Sequence, residues 1–195
     1  MNKKTPVWYM AGRIEKDRYR FGLVAHTMDM FEFPATLPLI DAPVKYGLSF
    51  GHGDTTISFA YSGPYTIGDD HGCAHNTVRG STTHGSGPTC AERRHDRHIN
   101  QLRARGIFHR AMSGIKQADA MFAWIKDEEC FGTLVEIGYA KSLGIPIYLA
   151  HHPDVDPNGE LWFAFEAADY IRCSTEPDIE ARRAIAHFAT LSTLR

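Results

Sequence analysis

The stretch Phe131–Ala150, FGTLVEIGYAKSLGIPIYLA, reads in order as a loop, a helix and a strand. The helical pattern stops at Gly144, and IPIYLA (Ile145–Ala150) is a short continuous apolar run, the mark of a buried strand. Just upstream, DAMFAWI (Asp119–Ile125) is a second such run, followed by the acidic loop KDEEC. Working outward, VWYMAG (Val7–Gly12) predicts another buried strand ended by glycine, and TTISFAYSGPYT (Thr55–Thr66) a strand ending at Gly63-Pro64. DYIRC (Asp169–Cys173) is read as a last strand, and Pro177 suits the first turn of a terminal helix to about Leu191. Apolar strands alternating with helices predict an α/β fold, a three-layer sandwich around a mainly parallel sheet.

The remaining segments are less regular. Residues 33–54 carry Pro34, Pro38, Pro43 and several glycines, which predicts irregular structure with short strands. From Cys90 to about Ala118 the pattern is helical, with Ile99, Leu102, Ile107, Met112 and Ile115 as apolar positions and Gly106 as a break. Between Ile67 and Thr89 lies IGDDHGCAHNTVRGSTTHGSGPT, rich in Gly, His, Thr and Ser and too long for an ordinary connection. The chain has eleven histidines, seven of them from His52 to His109.

With 195 residues and 43% hydrophobic content, one domain over 1–195 is expected, carrying this Gly/His-rich insertion at about 50–95. The net charge of −2, from 21 basic and 23 acidic residues, gives no electrostatic reason to expect nucleic acid or a membrane as partner. The opening MNKKTPVWYMAGR lacks a signal-peptide apolar core, and no run approaches the length needed to span a bilayer. Cys73, Cys90, Cys130 and Cys173 are dispersed, so reduced thiols and a cytoplasmic location are expected.

Glu136 is the anomaly in the opening stretch. At about 100° per residue, Val135, Ile137, Tyr139, Ala140 and Leu143 spread over one broad side of the helix, with Glu136 near its middle. Lys141, Gly138 and Ser142 fall on the far side, so Lys141 is badly placed to pair with it. A carboxylate among apolar neighbours is costly unless satisfied. Its place early in the helix favours the ionised form through the helix N-terminus. Two readings stand: a buried Glu bonded to backbone or to a tyrosine, or a site carboxylate at the carboxyl ends of parallel strands, where ligands bind.

FGTLVEIGYAKSLGIPIYL, preceded by GIKQADAMFAWIKDEE and with YMAGRI near the start, resembles the nucleoside 2-deoxyribosyltransferase superfamily. The motif resemblance covers about residues 5–25 and 105–170, leaving 27–104 outside. It implies a Rossmann-like fold and chemistry at an N-glycosidic bond, with Glu136 attacking the anomeric carbon and the base departing. A carboxylate nucleophile must stay ionised and be held rigidly, which agrees with the reading of the residues. The chain also departs from the pattern. Transferases carry an Asp six residues before the Glu, where Cys130 stands, and another on the preceding helix, where Ala111 stands. Both departures favour hydrolysis over base exchange, with Asp127, Glu128, Glu129 or His109 as candidates to protonate the leaving base. Gly132 and Thr133 open the helix and are expected substrate contacts. Some relatives hydrolyse nucleoside 5′-monophosphates, and Gly12, Arg13 and Arg20 match the turn that holds the phosphate; Arg suits bidentate contact, and the other reading is a solvated charged loop. Trp8, Tyr9, Tyr61, Tyr65 and Trp124 are candidates for stacking on the base, with core packing the favoured reading of Trp8 and Trp124.

The histidine-rich segment admits three readings. His71, Cys73, His75, His84 and Cys90 are zinc-type ligands, but their spacing fits no familiar zinc pattern. A substrate-binding or lid loop is favoured, with His71, His75 and His84 as contacts, because it follows a strand end and imidazole titrates near neutrality. A surface or interface loop is the third. The expectation is an N-glycosidase acting on a nucleotide or nucleoside without a cofactor, assembled as a homo-oligomer as the resemblance implies. The alternatives are a nucleotide-derivative binding or sensing module and an NAD-type glycohydrolase.

Overall fold

The computed structural model describes residues 5–12, 19, 44–63, 108, 109 and 111–191. Six strands form one sheet: β1 (Val7–Gly12), β2 (Val44–His52), β3 (Thr55–Gly63), β4 (Ala120–Ile125), β5 (Ile147–His151) and β6 (Tyr170–Cys173). Their order is β2-β3-β1-β4-β5-β6, with every pair parallel except β2 with β3. Three helices flank the later strands: α1 (Phe131–Ser142), α2 (Trp162–Ala167) and α3 (Pro177–Leu191); residues 111–116 are also helical. This is the expected Rossmann-like α/β architecture with a mainly parallel sheet.

β1, β4 and β5 are the continuously apolar strands of the sequence, and nearly every residue in them is buried, because both faces of a parallel sheet are covered. Alternate residues enter two cores. Trp8, Met10, Phe122, Trp124, Tyr148 and Ala150 face α3. Tyr9, Ala11, Met121, Ala123, Ile147 and Leu149 face α1, α2 and the helical segment 111–116. Trp8 and Trp124 are 0% and 2% exposed. At about 200 Å² and 25 cal/mol per Å², each contributes at most roughly 5 kcal/mol of apolar burial.

Two aspartates pin neighbouring strands at their amino ends. Asp119 donates its N–H to the Val7 carbonyl at 2.7 Å and accepts the Val7 N–H on Oδ2 at 2.8 Å. Asp169 repeats this on Ile147, at 2.9 and 2.8 Å. α1 ends by a glycine-type C-cap: Gly144 has φ +70°, and the Ile145 N–H reaches back to the Ala140 carbonyl at 3.1 Å.

Several local expectations are corrected. The region 33–54, expected to be irregular with short strands, carries β2, a full nine-residue strand joined to β3 through a tight turn at Gly53 (φ +58°) and Asp54. Antiparallel pairing with β3 over the full length overrides the low strand propensity of Gly47 and Gly51. Residues 50–63 of the segment read as inserted are therefore strand and turn residues, while 64–95 lie outside the described residues. Strand β5 starts at Ile147 rather than Ile145, and α2, six residues long, had no counterpart in the sequence reading.

Candidate active site

The five parallel strands run β3-β1-β4-β5-β6. The chain leaves β1 toward β3 on one side and continues through β4, β5 and β6 on the other. The strand order therefore reverses between β1 and β4, which makes the crevice at their carboxyl ends the expected ligand position for this topology. α1 follows β4 and packs over β1, β4 and β5.

Glu136 sits in the second turn of α1 and is half-buried. Tyr9, from β1, is fully buried and donates its hydroxyl to Glu136 Oε1 at 2.6 Å. That length is typical of an O–H bonded to a carboxylate, and such a bond is worth about 1.5–3 kcal/mol. The contact matches the tyrosine-bonded reading, with the donor coming from a strand beside the switch point. Tyr9 was not singled out for this role by the sequence, since 127 residues separate it from Glu136.

Tyr9 is itself confined. A Cβ at Gly114, in the helical segment 111–116, would stand 3.1 Å from both the Tyr9 ring and Ser62 Oγ. The absence of a side chain there lets that segment close onto the tyrosine. Ser62 is fully buried on β3, and its hydroxyl lies 3.5 Å from the Gly114 carbonyl.

The face of α1 differs from the expectation. Its buried residues are Thr133, Ile137 and Ala140, while Val135 is 56% and Leu143 44% exposed. The helix meets the sheet through Thr133, Ile137 and Ala140, so Glu136 occupies the border of the buried face rather than its middle. Being in the second turn, it is also past the region where the helix dipole acts strongly, and the Tyr9 hydroxyl is the nearer source of stabilisation. Lys141, as expected, faces away and pairs with Asp169 at 3.3 Å.

The other candidates divide by position. Asp127 lies in the loop after β4, half-buried, with Oδ1 accepting the Glu129 N–H at 3.1 Å. Gly132 and Thr133 form the first turn of α1, Gly132 exposed and Thr133 buried. Both therefore sit on the β4–α1 connection with Asp127. His109 is exposed, its ring against Phe108. Gly12 ends β1 with φ +144°, and a Cβ there would meet the Trp124 carbonyl oxygen at 3.2 Å and the Tyr19 ring at 3.3 Å. Tyr19 closes over this end of β1, donating its hydroxyl to the Ala11 carbonyl at 2.7 Å. Arg13, Arg20, Tyr65, His71, His75 and His84 lie outside the described residues, as do Cys73 and Cys90. Among the described residues, no group of three His, Cys, Asp or Glu side chains is placed to hold a metal ion. Cys130 and Ala111, at the positions where transferases carry aspartates, are both buried in the core that includes Ile137.

Fold and site together define a doubly wound α/β protein with a tethered carboxylate beside its switch point. The family model for nucleoside 2-deoxyribosyltransferase matches residues 72–160, a little under half of the chain. The matched span holds β4, α1 and Glu136. It extends into the Gly/His-rich segment that the motif resemblance left outside, and it does not reach β1, which supplies Tyr9. Comparison with curated proteins gives no match. No helix among the described residues is long and apolar enough to cross a membrane.

Proposed function

We propose that the protein cleaves the N-glycosidic bond of a nucleotide or nucleoside, with Glu136 as the nucleophile and water as the final acceptor. The observation that carries this reading is the Tyr9–Glu136 hydrogen bond, made between β1 and α1 beside the switch point. The family name supports a nucleoside-type substrate. In the first step a Glu136 carboxylate oxygen bonds to the anomeric carbon as the carbon–nitrogen bond breaks. The departing base takes up a proton, from Asp127 or His109 in their acid forms or from solvent. Water then attacks the same carbon and gives up a proton, which restores the acid or returns to solvent; the sugar leaves and the carboxylate is regenerated, splitting one hard displacement into two easier ones. A carboxylate and water suffice for both steps, so no cofactor is required. Hydrolysis is favoured over base exchange because apolar Cys130 and Ala111 leave no carboxylate to orient an incoming base.

Base release from a panel of nucleosides and nucleoside 5′-monophosphates tests this directly. The wild type is expected to turn over at least one member, and Glu136→Gln to lose at least about 10³-fold in rate. Equal rates in the two proteins, or no turnover of any panel member, would refute the reading.

We further propose that the chain self-associates through the outer sides of α1 and α2. Phe131, Val135, Trp162 and Phe163 are 73%, 56%, 54% and 71% exposed on these two packed helices. Exposed apolar clusters of this kind mark interaction surfaces. Sedimentation of Phe163→Glu is expected to show a smaller species than the wild type; an unchanged wild-type monomer would refute it.

A further inference from the structure

The opposite face of the sheet carries a cavity of about 130 Å³ between the β5–β6 edge and α3. It exists because α3 packs over β3, β4 and β5 but not fully over β6, the edge strand, whose residues are all exposed. Its floor is the pair Tyr148 and Tyr170, stacked at 4.4 Å and 13°. α3 supplies Glu180, Arg183 and His187, spaced three and four residues apart and so aligned on one side of the helix. His187 meets the Tyr170 ring edge-on at 4.9 Å. Arg172, on β6, completes the wall.

The charges in this cavity are unequal. Arg183 pairs with Glu180 at 2.5 Å, the carboxylate being 6% and the arginine 68% exposed. One carboxylate occupies only part of a five-donor guanidinium, so Arg183 keeps donors for a second anion. Arg172 has no ion-pair partner among the described residues. Two arginines against one glutamate leave the site one positive charge in excess. The phenol beside them adds no negative charge, since burial and the adjacent Tyr170 push the Tyr148 hydroxyl well above its ordinary value and keep it neutral.

We propose that this cavity is a second ligand site, taking a small organic anion whose apolar ring packs against the tyrosine pair and whose carboxylate or phosphate meets Arg172 and Arg183. Phe122, Tyr148 and Ala150 line it from the α3 side of the sheet, whereas Tyr9 and the residues around Glu136 belong to the other core, so the two sites are separated by the sheet itself. Aromatic floor and guanidinium rim are complementary: the ring gains apolar and stacking contact, and the anion gains charge-assisted hydrogen bonds.

Calorimetric titration of the whole protein with phenyl phosphate, benzoate and inorganic phosphate tests the site. At least one of the two ring compounds is expected to bind once per chain, and more tightly than inorganic phosphate; the tighter of the two identifies the anionic group. Arg172→Gln, an exposed edge-strand change, is expected to weaken that binding by about tenfold or more. Glu136→Gln is expected to leave it unchanged. The proposal is overturned if neither ring compound binds below about 10 mM, if inorganic phosphate binds as tightly as both, or if Arg172→Gln leaves the affinity intact.

Discussion

Replacing Tyr9 with phenylalanine removes one oxygen and leaves the ring in its slot against Gly114. The bond lost is the 2.6 Å donation to Glu136, and the ring is fully buried, so the packing term changes little. A hydrogen bond to a charged group is worth about 1.5–3 kcal/mol. At about 1.4 kcal/mol per tenfold, this corresponds to roughly 10- to 150-fold if the hydroxyl acts by holding the nucleophile. The loss should fall on kcat, with KM nearly unchanged, because the hydroxyl contacts the attacking group rather than the substrate's remote parts. The sign of the pH effect also follows. The hydroxyl favours the ionised carboxylate, so its removal moves the acidic limb of kcat/KM to higher pH. Base release measured across that limb, alongside thermal melts to confirm folding, reads both effects. A folded Tyr9→Phe protein with kcat/KM within about twofold of wild type and an unmoved acidic limb would refute the reasoning.

Two further outcomes follow from packing and burial. Gly114→Ala places a methyl 3.1 Å from the Tyr9 ring and from Ser62 Oγ, so a net destabilisation of about 1–3 kcal/mol is expected despite the helix-propensity gain, with activity falling as Tyr9 is displaced; denaturant unfolding and the base-release assay measure the two. Tyr148 is held neutral in the fold, whereas an unfolded tyrosine ionises near pH 10. Above that pH the unfolded state has released a proton that the native state keeps, so stability falls as pH rises, and Tyr148→Phe should flatten the fall in urea unfolding measured on either side of about pH 10.

The sheet was legible wherever burial on both faces made a strand apolar throughout: β1 and β4 are recovered within a residue, as are α1 and α3. β2 was not, because its glycines imitate loop composition and its partner strand, not its own propensity, makes it regular. The position of Glu136 was read from a helical wheel, which ranks residues by polarity alone. The real helix seats Thr133, Ile137 and Ala140 against the sheet and turns Val135 and Leu143 outward, a choice made by the closeness of packing and not by hydropathy. Tyr9 was invisible as a partner for a different reason. Strand order, which no local pattern encodes, decides that residue 9 and residue 136 meet. The cavity beside α3 was equally hidden, since its arginines and tyrosines come from β5, β6 and α3, which no local pattern brings together.

The Asp119 and Asp169 contacts have a consequence for how this fold tolerates change. Both grip the first residue of a neighbouring strand, at the edge of the sheet opposite to the one where a ligand would enter. They act as a datum line from which each strand is measured. A slip of one residue would turn Tyr9 to the α3 side of the sheet and leave Glu136 without its donor. With alignment secured at the far edge, the loops at the entry edge are released from that duty, and their length and composition can drift while the support of Glu136 stays in register.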